Sequence, residues 1–308
     1  MKRLVSTSNL AREKWLQYRK QGIGGSDAGA ICGFNPYRTA MQVYYDKTSD
    51  EIEDIDNEAM RQGREFEDYV ARRFTEETGK KVRRANAMFY DENNPFMLAD
   101  VDRMIVGENA GLECKTASPF MAEYWKDDKI PLSYQMQCYH YMSVCNADAW
   151  YLAVLIYGRE FKVYKLERDK EIIANLIQLE KNFWENHVLA RVLPEPDGSR
   201  LADSVIAEYF KSASSVRVPL QGFDDKLKRR QELVGLIDKL ETEKKQIEQE
   251  VKIYLGDAEV AENEHYRVSW KNVFTNRIDS ARLKEEQPEI YKQYQKPSQS
   301  RRFQVIAA

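Results

Sequence analysis

A mixed α/β fold is predicted for this chain, with a central sheet of about five strands flanked by helices and a helical C-terminal appendage. Three observations carry that expectation. Helical patterns fill most of the first 78 residues, and strand-like runs then cluster at 81–117 and 148–167 around one helical stretch. The composition changes at Arg191–Arg200, after which a heptad pattern takes over. With 308 residues and 43% hydrophobic content, the chain is long enough to bury a full core.

Residues 8–20 form an amphipathic pattern through Leu10, Trp15, Leu16 and Tyr18. Gly22–Asp27 is a glycine-rich turn in which Ser26 is a natural helix N-cap, followed by a short helix at Ala28–Cys32. Gly33 and the turn Asn35-Pro36 close it. Met41–Lys47 is helical and Asp50–Asn57 an acidic loop. A long helix is expected over Glu58–Thr78, with Phe66, Tyr69, Val70 and Phe74 on one side and Gly79 as its stop. Strands follow at 81–90, 96–106 and 111–117. Phe120–Asp127 is a loop or short helix containing Trp125, and Pro131 opens a helix through Cys145. Strands at 148–157 and 160–167 and a covering helix at Asp169–Leu189 complete a core domain spanning 1–192.

Pro194, Pro196, Asp197 and Gly198 mark a linker at 193–200, leaving 201–308 as the appendage. Within it Leu233, Ile237, Leu240, Ile247, Val251 and Tyr254 recur at alternating three- and four-residue steps, with a gap at Lys244. That is a seam for a coiled coil or helical hairpin. Packing onto the core and contact with another chain are both open to it. A short β-like tail at Tyr266–Phe274 and a basic end at Arg301 and Arg302 follow.

Charge excludes a global attraction to nucleic acid. Charged residues make up 31% of the chain, yet the formal net charge is −3. A polyanion site must therefore be local. Arg61–Arg84 is the richest stretch (Arg61, Arg64, Arg72, Arg73, Lys80, Lys81, Arg83, Arg84), although its interleaved acids equally describe a solvated helix face. No apolar run approaches the roughly 18 residues of a membrane span. The opening residues lack the apolar core of a secretory signal, so a cytoplasmic protein is expected. Cys32, Cys114, Cys138 and Cys145 show no C-x-x-C pair and read as packing residues.

The most informative segment is Asp102–Lys115, DRMIVGENAGLECK. Side chains alternate along a strand, so Glu113 and Lys115 share a face and Cys114 takes the other. If Val101–Val106 and Leu112–Thr116 pair as a hairpin, Asp102 lies close to that face. Two carboxylates and an ammonium at one end of a sheet suit a hard divalent cation and a phosphate. Solvated cross-strand ion pairs are the alternative. The apolar flanks weigh against it, because charges on buried strands are costly unless paired or metal-bound. Glu65, Glu67 and Asp68 on the long helix offer a further carboxylate. Gln135 and Tyr139, four apart, share a face of the helix after Pro131 and are candidates to orient water and phosphate. A satisfied core pair would carry the same residues. His140 reads as structural.

These blocks together resemble the YqaJ-type phage recombinase family, the lambda-exonuclease-like branch of the PD-(D/E)xK nucleases. The similarity covers approximately residues 12–190. It rests on Tyr18-Arg19-Lys20-Gln21-Gly22-Ile23-Gly24-Gly25-Ser26-Asp27, Asn35-Pro36-Tyr37, Gly63-Arg64-Glu65-Phe66-Glu67, Asp102 with Glu113-Cys114-Lys115, and Ile130-Pro131-x-x-Tyr134-Gln135-x-Gln137. The resemblance implies a restriction-endonuclease-like core and a Mg²⁺-dependent 5′→3′ exonuclease on double-stranded DNA ends, with Mn²⁺ able to substitute. It implies 5′-mononucleotides as products, 3′ overhangs for a single-strand annealing protein, and a homo-oligomer, a trimeric ring being the family pattern. Asp102, Glu113 and the Cys114 carbonyl would hold the metal, with Glu67 nearby, Lys115 assisting the water and Gln135 beside it. Arg19 and Ser26 match positions that hold the terminal 5′-phosphate. A glycine turn opening a helix beside an arginine suits an anion independently of that match, although an ordinary capped turn has the same sequence.

The chain departs from the family pattern around Asp102, which Val101 and Arg103 flank where proline and glycine are usual. Asp100, two residues earlier, is a rival ligand, and the C-terminal 110 or so residues fall outside the core resemblance. Two other readings stay open: a structure-specific or single-strand endonuclease on the same core, and a non-catalytic DNA-binding assembly module built on the heptad helix.

Overall fold

The computed structural model describes residues 1–52, 56–127, 129–210, 212–296 and 301–306. It divides into two compact units, Met1–Lys211 and Ser212–Ala308. Part of the expected acidic loop, residues 53–55, lies outside the described residues.

The first unit runs β1 (Lys2–Ser6), α1 (Arg12–Lys20), β2 (Ile23–Gly24), α2 (Gly25–Ile31), α3 (Ala40–Thr48), α4 (Glu58–Thr78), β3 (Val82–Arg84) and β4 (Ala87–Tyr90). It continues through β5 (Met97–Asp100), β6 (Arg103–Ile105), β7 (Ala110–Ala117), α5 (Leu132–Cys145), β8 (Ala149–Ile156), β9 (Glu160–Glu167), α6 (Lys170–Phe183) and α7 (Arg200–Tyr209). A 3₁₀ segment, Pro119–Trp125, joins β7 to α5, and a π-helical stretch, Trp184–Leu189, prolongs α6.

The expected five-stranded sheet is present, in the order β3-β6-β7-β8-β9. β7 and β8 are parallel, because α5 carries the chain back across the sheet between them, and the other pairs are antiparallel. A second sheet, β1-β4-β5-β2, was not anticipated. It arises because two predicted strands are each split. The run 81–90 breaks at Asn86, whose φ is 50°, and 96–106 breaks at Val101–Asp102. Each run therefore contributes its first half to one sheet and its second half to the other, and apolar periodicity carries no mark of such a bend.

The main core fills the space between the sheet and α5, where Cys138, Tyr141 and Met142 pack with Trp150, Leu152 and Val154. On the opposite face α4 packs Val70, Ala71 and Phe74 against Leu112, Tyr151 and Ala153, with the Phe74 and Tyr151 rings 5.4 Å apart. Asn57 caps α4 through the Met60 amide, and Gly79 ends it in the left-handed region at φ 71°. Phe66, predicted on the inner side, is 37% exposed. The turn before α2 is capped differently from the expectation. Gly24 is the N-cap, its amide donates to Asp27 Oδ2 at 3.0 Å, and Ser26 lies inside the helix.

The first unit continues past the expected 193–200 linker, and Ala202 and Val205 of α7 are buried with Met41 of α3. The second unit holds the heptad helix α8 (Asp224–Leu255), a hairpin of β10 (Val260–Glu262) and β11 (Arg267–Ser269), α9 (Ser280–Glu286) and α10 (Pro288–Gln293). Of the expected tail strand Tyr266–Phe274, only 267–269 are extended and paired. Leu233, Ile237, Leu240 and Ile247 of the seam are exposed.

Candidate active site

β6 and β7 form the expected hairpin, with Arg103 opposite Leu112. Alternation then divides their side chains between two faces. Leu112 packs against α4, whereas Glu113 points to α5, where Gln137 Nε2 donates to Glu113 Oε1 at 2.6 Å. Lys115 shares that face, its Nζ 2.6 Å from the same oxygen. Asp102, at the bend between β5 and β6, folds toward β7 and accepts the Cys114 amide on Oδ2 at 2.7 Å. Asp102, Glu113 and Lys115 therefore converge beside the Cys114 backbone.

The electrostatics are those of crowded acids out of water. Burial, then Glu113 and Glu67, push the Asp102 carboxyl well above its ordinary value. Burial also raises Glu113, against the pull of Lys115. Burial opposes the charge on Lys115, but Glu113, Tyr134 and Asp102 outweigh it and hold the ammonium above the ordinary lysine range. Glu113 Oε2 is buried with no hydrogen-bond partner. An orphaned carboxylate oxygen is expensive to bury, and a hard cation is the partner it suits.

Among the described residues, no group of three or more His, Cys, Asp and Glu side chains is arranged to hold a metal ion. Glu67 is engaged by a base. Arg103 faces α4, is 4% exposed, and pairs with both Glu67 and Asp68 while donating to the Asp102 carbonyl at 2.6 Å. Glu67 thus sits close enough to raise the neighbouring acids but is engaged by Arg103. The donors that fit a cation are the Asp102 and Glu113 carboxylates and the Cys114 carbonyl. Magnesium, which keeps several of its waters, is suited to so small a set.

Asp100 makes its hydrogen bond away from Asp102 and Glu113, although Glu67 still acts on it. It ends β5 in the second sheet, accepts Trp15 Nε1 at 2.5 Å, and is raised by burial. Gln135 is also displaced from its expected place: its Nε2 donates to the Ile130 carbonyl at 2.7 Å. With Tyr139 it lines a separate groove of 860 Å³. The amide that reaches Glu113 is Gln137, which also donates to Tyr141 Oη at 3.1 Å. The signal was present in the sequence, since Gln137 and Tyr141 repeat the four-residue spacing of Gln135 and Tyr139. Two residues rotate a helix by about 200°, so the two pairs face opposite ways.

Arg19 and Ser26 do meet, Arg19 Nη2 donating to Ser26 Oγ at 3.0 Å with its guanidinium over Trp15 at 4.8 Å. Behind them lies a cluster that the sequence did not reveal. Asp27 is fully buried between Arg38 at 2.5 Å and Lys47 at 2.8 Å, with Arg19 at 4.0 Å. Burial alone would raise Asp27, but Lys47, Arg38 and Arg19 together hold it far below the carboxylate range. Three cations here face Asp27 and Asp46, and Arg19 also feels Asp100. The cluster adjoins the acids, since a Cβ at Gly25 would lie 2.5 Å from the Tyr141 ring and 3.1 Å from Gln137 Cγ.

The arginines of α4 and its C-terminal flank are largely paired: Arg61 with Glu65 at 2.9 Å, Arg64 with Asp56 at 2.6 Å, Arg73 with Glu76 at 3.3 Å, and Arg84 with Asp68. The part of the stretch on α4 is a solvated helix face. His140 is structural, as expected, bridging Glu180 at 2.8 Å and the Leu98 carbonyl at 2.8 Å. The cysteines are free thiols, with burial pushing Cys32 to about 11 and Cys145 to about 12. No helix among the described residues is long and apolar enough to cross a membrane.

The fold is lambda-exonuclease-like, with a mixed α/β core of the PD-(D/E)xK class. Solved structures share this fold. The alkaline exonuclease LHK-Exo of Laribacter hongkongensis matches 65% of this chain and 100% of its own, at TM-score 0.51 and 17% identity. LHK-Exo in complex with dAMP matches 58% and 94%, at TM-score 0.51 and 19% identity. In sequence, residues 14–148 match the YqaJ-like viral recombinase domain. The uncharacterized protein YqaJ of Bacillus subtilis (strain 168) is 36% identical over 307 residues, covering 98% of this chain and 96% of its own. The chain belongs to the YqaJ-like viral recombinase family. That similarity extends through the C-terminal unit.

Proposed function

We propose that this protein is a Mg²⁺-dependent exonuclease that degrades the 5′-ended strand of linear duplex DNA. The observation that carries the reading is the convergence of Asp102, Glu113 and Lys115 around a buried Glu113 oxygen that no protein group satisfies. A magnesium ion held by Asp102, Glu113 and the Cys114 carbonyl would polarise the scissile phosphate and lower the pKa of the attacking water, and Mn²⁺ has the same coordination chemistry. Lys115 is charged and directed into the site, so its ammonium orients the water and balances the phosphate. Gln137 fixes the Glu113 carboxylate, and the Cys114 amide fixes Asp102. Arg19 and Ser26, backed by Arg38 and Lys47, receive the terminal 5′-phosphate.

Hydrolysis in this arrangement yields 5′-mononucleotides and a 3′ overhang, the substrate of a single-strand annealing protein. Phage or prophage recombination in the bacterial cytoplasm is the setting, with a homo-oligomer, a trimeric ring, as the working assembly. Digestion of end-labelled linear duplex tests the core of the reading. Asp102→Ala and Lys115→Ala should abolish Mg²⁺-dependent digestion while circular dichroism stays unchanged; activity retained in both removes the site. Arg19→Ala should slow digestion of 5′-phosphorylated ends selectively, and an equal loss on both end types would argue against the phosphate role. Cleavage of circular duplex or single-stranded circles would favour an endonuclease.

A further inference from the structure

The segment that leaves the active-site strand carries a fully exposed aromatic ring on a rigid mount. Phe120 is 93% exposed, although single exposed apolar residues are common and mean little alone. Its setting is what distinguishes it. The 3₁₀ segment Pro119–Trp125 has three residues per turn, so Ala122 and Trp125 form one row and Phe120 and Glu123 another. The first row is buried and the second exposed, which fixes the Phe120 ring outward.

Both ends of the mount are fastened. Ser118 caps it, its carbonyl accepting the Met121 amide at 2.9 Å. At the other end the Trp125 carbonyl accepts Lys162 Nζ at 2.7 Å and Tyr164 Oη at 3.1 Å. The Trp125 ring stacks on Tyr134 with centroids 5.6 Å apart, and Lys115 Nζ lies 5.0 Å from the Tyr134 ring centre. The mount is thereby tied to the lysine of the site. Tyr37, 67% exposed, reaches the same segment through its hydroxyl, 3.5 Å from Met121 Sδ. Phe120 is five residues beyond Lys115, so the two Cα atoms are separated by no more than about 18 Å.

We infer that Phe120, on the segment that Tyr37 also touches, is a stacking platform for an unpaired base at the DNA end being digested. The inference rests on the nuclease reading and adds to it how the end is gripped. A strand entering the Asp102–Glu113–Lys115 centre must leave its complement, and its bases then lose a stacking neighbour. An aromatic face held rigidly within a few nucleotides of the lysine replaces that neighbour without regard to sequence.

The test uses the Lys115→Ala protein, which holds DNA without consuming it, and linear duplex carrying 2-aminopurine at the terminal positions of the 5′-ended strand. Phe120→Ala and Phe120→Leu should each weaken binding about tenfold and abolish the fluorescence change on binding, while Phe120→Trp retains both. In the otherwise wild-type protein the same order should appear in KM for linear duplex. Because Phe120 is exposed, all three variants should melt with the parent. Wild-type digestion with Phe120→Ala unchanged in KM and fluorescence overturns the platform alone. Parent-like behaviour of Phe120→Leu also overturns it, since stacking requires the ring. A wild-type protein that neither cleaves nor binds linear duplex removes the nuclease reading and the platform together.

Discussion

Replacing Gly25 by alanine should disable the site from a position that holds none of its chemistry. By helix propensity alone the change is favourable, since alanine exceeds glycine by about 1 kcal/mol in a helix interior and less at a first turn. The surroundings reverse that sign. The new Cβ would lie 2.5 Å from Tyr141 Cε1 and 2.7 Å from Cζ, where ordinary contact begins at 3.4 Å, so ring or helix must move by about 0.9 Å. The Tyr141 ring has little room to yield, being 5% exposed and packed on Trp150 at 5.3 Å. Overpacking of this kind costs about 1–3 kcal/mol, which outweighs the propensity gain. At roughly 2–4 °C per kcal/mol for a unit of this size, Tm should fall by several degrees. The displaced Tyr141 carries Gln137, and Gln137 holds Glu113. A misplacement near 1 Å at a reacting centre can cost about 100-fold, so kcat/KM on linear duplex should drop by that order. Equal loss on phosphorylated and unphosphorylated ends assigns the effect to Glu113. Full activity with an unchanged Tm would refute the proposed route from α2 to the acids.

Two further outcomes separate residues that the sequence ranks alike. Gln137→Ala should lower kcat at least tenfold with little effect on KM, because it leaves Glu113 Oε1 without its amide donor, whereas Gln135→Ala, facing the separate groove, should retain activity; steady-state digestion rates compare them. Asp27→Ala strands the buried Lys47 and should cost about 3–5 kcal/mol in urea or thermal unfolding. Since Asp27 is depressed in the folded state, its contribution is complete above the ordinary carboxylate value of 3.8 and fades as pH falls below it. The stability gap between wild type and variant should therefore narrow below pH 3.8, and a gap independent of pH would contradict the ion-pair assignment.

The acid–lysine centre was legible because it depends on strand alternation, which is a two-residue rule written locally in Glu113-Cys114-Lys115. The α4 register, the β6–β7 hairpin and the crossover helix were legible for the same reason: each follows from spacing within one element. Errors arose where a helix or strand had to be oriented against something distant. Gln135 and Gln137 lie in one helix with equivalent partners, and only the packing of α5 on the sheet turns Gln137 toward Glu113. Asp100 and Asp102 share a strand face by periodicity alone, until the chain bends after β5 and leaves Asp102 in the turn between the two sheets.

By itself, then, the sequence determined most of the helices, the main sheet and the acids and lysine that one hairpin brings together. Tertiary structure decided which helix face met them, that Arg103 would occupy Glu67, and that Arg38 and Lys47 would gather on Asp27. The division follows from range. Local backbone geometry converts spacing into direction without further information, whereas pairing charges from separate elements depends on how those elements pack, and packing is a property of the whole core.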